Sequence, residues 1–402
     1  MNLAVDCCGV HFENPFILAS APPTAGLDLI RRGFEAGWSG AVVKTLIPEP
    51  VNNIQNRFAV LKQGGRIIGF ENLELLSERS PDEWYGIISA LKREFPHKVI
   101  IGSIMGDARS PEQWLALARG CQDAGADMLE LNFSCPHGYP ERGRGSAIGQ
   151  NADYSARIVK WLKNETWLRI PVIPKLTAAA TDIREIGEAV AAAGADAISA
   201  INTVPSFFGI DLKSLRPKPD IAGDTAYGGY SGAGIKPIAL RAVSILCQSP
   251  ALPVMAGGGI CNGFDAAEFM LIGAPLVQVC TEVMLHGFAV VEKMQDELKE
   301  FMGWHGFSDT GQFTGLCRER VTSFSGLDTS FTVLPQLDAG KCINCGLCLI
   351  ACNDGGSQAI VAGTDTPVFL TENCVGCSLC SHVCPNGAIT MVTQDSEKGE
   401  IP

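Results

Sequence analysis

Eight short apolar runs punctuate residues 1–303, at 16–20, 41–45, 99–104, 128–132, 172–176, 197–202, 254–257 and 276–280. Each is nearly continuous rather than alternating, as in parallel strands covered on both faces. Between them lie stretches with apolar residues three and four apart, at 27–36, 81–95, 111–124, 153–165, 182–193, 237–247, 263–272 and 285–302, which predict amphipathic helices. AGWSG, AGADM, AGADA and IGAPL precede four of the runs, and their small residues let a helix end turn tightly into the next strand.

Eight strands alternating with eight helices over this length predict an α/β protein of the (β/α)8 TIM barrel type. A doubly wound sheet is the alternative, but it usually has fewer strands and a G-x-G-x-x-G turn after the first. Here the chain after Ser20 reads APPTAG. Residues 304–340 are rich in Gly, Ser and Thr and read as a connector with one helix around 311–321. Residues 341–402 are too poor in apolar residues for a large core, so bound metal must supply much of their stability.

Composition narrows the class. Hydrophobic residues make up 46% and charged residues 18%, ordinary for a globular protein. No apolar run reaches the roughly 18–20 residues of a membrane span. The net charge of −12 and the lack of any dense Lys/Arg run argue against a nucleic-acid binder. The start, MNLAVDCCGVHFENPF, has no basic segment followed by a long apolar one, so a cytoplasmic protein without a secretory signal is expected. In that reducing compartment cysteines stay free, bind metal or do chemistry.

Eight of the 16 cysteines fall between Cys342 and Cys384. They form two runs, Cys342-x2-Cys345-x2-Cys348-x3-Cys352 and Cys374-x2-Cys377-x2-Cys380-x3-Cys384-Pro385. This is the bacterial two-cluster ferredoxin spacing, in which the fourth cysteine of each run ligates the other cluster. Cys342, Cys345, Cys348 and Cys384 should hold one [4Fe–4S] cluster, and Cys374, Cys377, Cys380 and Cys352 the second. A zinc module is the competing reading, but zinc sites usually pair two short C-x2-C units. Asn353 follows Cys352 where a proline is common.

In such barrels the chemistry sits where strands pass into loops. The strand ends here deliver Ser20, Lys44 and Thr45, the segment Asn132-Phe133-Ser134-Cys135, Lys175, Asn202 and Thr203, Gly257-Gly258-Gly259, and Cys280 with Thr281. Asn72 lies in the long segment after the second strand. Gly257–Gly259 and Thr281 fit the phosphate site usual after strands seven and eight, although a tight turn alone would also call for glycine. A second cluster, Gly228 to Gly232, could approach the same ligand. A lysine in a barrel mouth is costly unless it meets charge, and Lys175 or Lys44 beside a flavin would stabilise its anionic reduced form; a solvated strand-end lysine is the plainer alternative. Cys135 opens a Pro- and Gly-rich stretch through Gly145 that reads as a mobile loop. Free cysteines are more often buried and inert, but Asn132 and Ser134 beside it supply amide and hydroxyl groups, and a thiol of ordinary pKa, about 8.5, can donate a proton near neutral pH. Cys7, Cys8, Cys121, Cys247, Cys261 and Cys317 have no such company and read as structural.

At N-F-S-C-P-H-G, with V-V-K-T, E-N-L-E-L-L-S-E, P-K-L-T, I-N-T-V, G-G-Y-S-G and Q-V-C-T, the chain resembles the pyrimidine-reducing half of the dihydropyrimidine dehydrogenases and, less closely, the dihydroorotate dehydrogenases. The cysteine module, with C-I-N-C-G and C-N-D-G-G, resembles the C-terminal region of the former. The resemblance implies FMN held by Ser20, Lys44, Thr45, Lys175, Gly232, Gly257, Gly258, Gly259, Cys280 and Thr281. It implies a pyrimidine held by Asn72, Asn132, Phe133, Ser134, Asn202 and Thr203, with Asn side chains matching the N–H and C=O edges of uracil. Cys135 would protonate C5 while hydride passes from FMN N5 to C6.

The full-length eukaryotic enzyme has further N-terminal domains with more clusters, FAD and a nicotinamide site. Here the barrel begins near residue 10 and no Rossmann fingerprint follows a strand, which resembles the bacterial split form. That form implies a separate FAD- and NAD(P)H-binding iron–sulfur subunit and a hetero-oligomer. Two other readings stand beside it: a dihydroorotate dehydrogenase-like enzyme, whose substrate carboxylate would want a cation, and an electron-transfer subunit with no substrate of its own.

Overall fold

The fold is that of a computed structural model, which describes residues 1–135, 144–249 and 252–393. Most of the loop expected to be mobile after Cys135 therefore lies outside the described residues. The chain forms two compact units, Met1–Val321 and Thr322–Pro402.

In the first unit eight parallel strands close into a barrel. In chain order they are Phe16–Leu18, Gly40–Val42, Val99–Ile104, Met128–Asn132, Val172–Leu176, Ile198–Ala200, Val254–Gly257 and Leu276–Val279, and the last pairs with the first. All eight apolar runs are thus barrel strands, and the helices between them follow the predicted stretches. Several start as their sequences direct: Ser80 and Glu83 make a reciprocal capping box, and Asn151, Asp182 and Asn262 each cap a helix with a side-chain oxygen. The last expected helix, 285–302, is instead two, Thr281–His286 and Val290–His305, broken at Gly287 (φ +87°).

The barrel interior changes character along its axis. Near the N-terminal strand ends it is filled by Ile17, Val42, Ile101, Met128, Ile173, Met255 and Leu276, closed below by Phe12 from the hairpin Val5–Cys7/Val10–Phe12. Two residues further along the same strands, where side chains return to the same face, stand Ser103, Glu130, Lys175 and Gln278, all buried. An apolar floor thus carries a polar layer.

A four-stranded antiparallel sheet at the mouth was not expected. It joins Phe58–Gln63 and Arg66–Asn72, from the segment after the second strand, to Val204–Ser206 and Gly228–Ser231, from the segment after the sixth. Its outer strand, Phe58–Gln63, is largely exposed and so carries no continuous apolar signal. Its register places Asn72 opposite Gly229.

The expected helix around 311–321 is absent. The chain forms short 3-10 turns at Thr310–Gln312 and Arg318–Arg320, because the Gly315 and Cys317 N–H groups donate to the Met270 and Leu271 carbonyls rather than to their own turn. In the second unit Val333–Leu337 pairs with Ile389–Thr393, so the final part of the predicted connector is a strand of the cysteine module. Among the described residues no helix is long and apolar enough to cross a membrane.

Candidate active site and cluster module

One pocket opens at the C-terminal ends of the barrel strands. It is lined by Ser20, Lys44, Thr45, Asn72, Asn132, Cys135, Lys175, Asn202, Thr203, Gly232, Gly257, Gly258, Gly259, Cys280 and Thr281. Residues scattered over much of the chain thus converge because each follows a strand of the closed barrel or sits in the antiparallel sheet.

Two of the predicted residues stand behind the wall. Phe133 is fully buried and packs edge-on against Trp114, 5.6 Å between ring centres, and does not line the pocket. Ser134 is also fully buried; its Oγ accepts from Asn202 Nδ2 at 3.0 Å while its N–H donates to Asn132 Oδ1 at 3.2 Å. Asn132 in turn donates to Thr45 Oγ1 at 3.0 Å, and Thr45 shares hydrogen bonds with Ser20 (3.1 Å) and Ser103 (2.8 Å). Asn132 and Asn202 are therefore held by one continuous network. The side-chain amide of Asn72 donates to the Gly229 carbonyl at 3.2 Å.

The lysines are neither solvated nor unpaired. Lys44 and Lys175 are buried, and each meets a carboxylate: Lys44 Nζ lies 3.1 Å from Glu74 Oε2, and Lys175 Nζ 3.5 Å from Glu130 Oε1. Glu74 also lies 3.6 Å from Arg57. Glu74, Gln278 and Cys261 line the pocket as well, and sequence reasoning missed them as site residues. The signal for Gln278 and Glu130 was present as a lone polar residue inside an apolar strand, L-V-Q-V and M-L-E-L-N. Cys261 had read as structural; burial, with Glu282 and Asp265 nearby, pushes its thiol up to about 12. Burial likewise pushes Cys280 up to about 12, although Lys44 and Lys175 pull the other way. Neither thiol is poised as a proton donor near neutral pH.

A phosphorylated planar cofactor fits this lining. At Gly259 (φ +79°) a Cβ would stand 2.5 Å from the Lys236 backbone nitrogen, and at Gly258 (φ +121°) 2.8 Å from Ala239 Cβ. The turn therefore packs directly on the helix Lys236–Gln248 and presents bare backbone to the pocket. Buried cations deeper in the same pocket suit an electron-rich ring.

In the second unit the eight cysteines gather in two hollows. One is lined by Cys342, Cys345, Cys348 and Cys384, the other by Cys352, Cys374, Cys377 and Cys380. Each hollow combines three thiols of one run with the fourth of the other, the exchange that the spacing predicts. Backbone N–H groups point at several sulfurs: Ala359 to Cys352 (3.3 Å), Gly376 to Cys374 (3.4 Å) and Ala388 to Cys384 (3.2 Å). Such bonds favour thiolates around a cluster.

A parallel barrel with this mouth, followed by two four-thiol hollows, defines a flavin-dependent oxidoreductase with its own iron–sulfur module. Residues 2–302 match the dihydroorotate dehydrogenase family model, and residues 336–391 match the 4Fe-4S dicluster domain. The chain belongs to the dihydroorotate dehydrogenase family and is an oxidoreductase that carries a flavin and two 4Fe–4S clusters. It is 38% identical to the NAD-dependent dihydropyrimidine dehydrogenase subunit PreA of Escherichia coli, over 89% of this chain and 87% of that one. It is 36% identical to the chloroplastic dihydropyrimidine dehydrogenase (NADP(+)) of Arabidopsis thaliana, over 81% and 79% of the two chains. It is 37% identical to the catalytic subunit of dihydroorotate dehydrogenase B (NAD(+)) of Pyrococcus abyssi, over 78% and 98%.

Proposed function

We propose that this protein reduces uracil or thymine to the 5,6-dihydropyrimidine, with electrons arriving through its two clusters from a separate NAD(P)H-oxidising subunit. When bound, FMN supplies the hydride that goes to ring carbon C6. The rest is the work of the chain's own residues. The Gly257–Gly259 turn, Gly232 and Thr281 would hold the phosphate end of FMN, and Ser20, Lys44, Thr45, Lys175 and Cys280 would hold its ring. Asn72, Asn132, Asn202 and Thr203 orient the pyrimidine, offering donors to its carbonyls and acceptors to its N–H groups. Ser134 holds Asn202, and Phe133 backs the wall. Cys135 donates the proton from Sγ to C5.

The observation that carries this reading is that Cys135 and three asparagines line one pocket with the glycine turn and both lysines. The pocket also bears on the competing substrate. Dihydroorotate carries a carboxylate, and the two lysines among the described lining residues already face Glu74 and Glu130. A neutral ring is the better match, even though a dihydroorotate dehydrogenase subunit is among the relatives.

Anaerobic turnover of the flavin- and iron-loaded protein tests the proposal. With reduced viologen as donor, uracil or thymine should be reduced, dihydroorotate should not react, and NADH or NADPH alone should not support turnover. Preferential use of dihydroorotate would replace the substrate. Rapid reduction by NADH would remove the need for a second subunit, and a loaded protein inert to all three substrates would leave an electron carrier.

A further inference from the structure

At the floor of the pocket, where Gln278 lines it and Glu130 and Ser199 lie beneath, three polar side chains are almost fully buried: Glu130 and Ser199 at 1% exposure and Gln278 at 3%. One layer lower the same barrel interior is filled by Met128, Met255 and Leu276. A buried carboxylate is costly unless paired, and an apolar residue would pack there at less cost. Among the described residues its only ion-pair partner is Lys175.

The hydrogen bonds have one consistent reading. Lysine can only donate and a carboxylate only accept. Gln278 Oε1 accepts from Lys175 Nζ at 2.7 Å, and Gln278 Nε2 donates to Glu130 Oε2 at 2.8 Å and to Ser199 Oγ at 3.0 Å. The amide is thereby locked in one orientation. Glu130 Oε1 accepts no hydrogen bond from the described residues and faces the ammonium at 3.5 Å. Strand register enforces the arrangement, since Lys175 is paired with Asn132 on one side and Ser199 on the other.

We propose that Glu130 is a positioning residue for Lys175: bridged through Gln278, it fixes the ammonium in place and offsets part of the charge that Lys175 presents to the flavin, keeping the flavin's reduction potential low. The inference rests on the FMN reading of the pocket. A cation beside the ring favours the anionic reduced form and raises the potential; a carboxylate behind that cation lowers it again. A lower potential gives the reduced flavin more drive to reduce a ring C=C bond.

The test is the two-electron potential of FMN in the full chain, read by anaerobic titration against a reference dye. Glu130→Gln keeps shape and removes the charge; it should shift the equilibrium at least tenfold toward reduced flavin, a rise of about 30 mV for a two-electron couple. Ser199→Ala loses a neutral hydrogen bond in the same network and should leave the potential near that of the parent. Glu130→Asp, which keeps the charge, should also stay near it and guards against a packing effect. An unchanged or lower potential in Glu130→Gln, or an equal rise in Ser199→Ala or Glu130→Asp, overturns the proposal. Failure of the parent protein to bind FMN would instead overturn the reading of the pocket on which it rests.

Discussion

Replacing Gly259 by alanine separates two costs that the structure allows to be worked out. At φ +79° a side chain costs roughly 1–2 kcal/mol in backbone strain. The new methyl would also lie 2.5 Å from the nitrogen and 2.7 Å from the Cα of Lys236, so backbone must move. That backbone begins the helix Lys236–Gln248, so it can yield only by shifting the helix start. Overpacking of this kind adds about 1–3 kcal/mol, for a total of about 2–5 kcal/mol. Gly287 supplies the control: its φ is +87° and no atom of the described residues lies within 4 Å of its Cβ position, so alanine there should carry the strain alone. Urea unfolding of the two variants should show Gly259→Ala as the less stable. Equilibrium dialysis should show that it alone loses FMN affinity, by roughly tenfold for each 1.4 kcal/mol spent on displacing the turn. If Gly259→Ala matches Gly287→Ala in both stability and FMN affinity, the packed-turn reasoning is refuted.

Three further outcomes follow from the same structure. Cys135→Ala should keep its flavin and iron while viologen-driven uracil reduction falls by about 10²–10⁴, the loss typical of a general acid; turnover at the parent rate would remove Cys135 from that role. Cys352→Ala should lose the cluster of Cys374, Cys377 and Cys380 and spare the other, halving the iron content to about four per chain; loss confined to the Cys342–Cys348 cluster in the electron paramagnetic spectrum would contradict the exchanged pairing. Burial pushes the Glu71 carboxyl above its ordinary range, despite hydrogen bonds from Ser206 and the Phe208 and Gly228 N–H groups. A folded value above the unfolded one gives stability that is present below the unfolded value and is lost as pH rises through the folded value. Glu71→Gln should therefore flatten the decline in urea midpoint as pH rises from about 4.5, the ordinary glutamate value, toward neutrality; an unchanged pH slope would show that Glu71 does not contribute to it.

The barrel strands were legible because a parallel strand buried on both faces must be apolar along its length, whatever it pairs with. The mouth sheet was not, because its hairpin Phe58–Gln63/Arg66–Asn72 is stabilised by cross-strand pairing with segments more than a hundred residues away and leaves its outer strand largely exposed. The broken last helix was misread because its apolar periodicity continues across Gly287 while its backbone does not. Phe133 looked like a lining residue because Asn132 and Cys135, on either side of it, are; the strand ends at Asn132, and beyond it Trp114 takes Phe133 into the wall while Ser134 is buried beside it.

By itself the sequence determined two things about this protein: an alternating chain able to close as a (β/α)8 barrel, and two cysteine runs whose spacing dictates how four thiols can surround each cluster. Strand burial is written within a few residues, and so is the spacing of three thiols in each run; the fourth thiol of each cluster comes from the other run of the same short module. Only the tertiary structure decided how the charges of the site are set. Lys175 meets Gln278 across 103 positions of sequence, and Gln278 meets Glu130 across 148. No periodicity encodes such contacts; they exist because closing the barrel brings the fourth, fifth and eighth strands' inward-facing residues into one buried layer, where polar groups must find one another or pay for their burial.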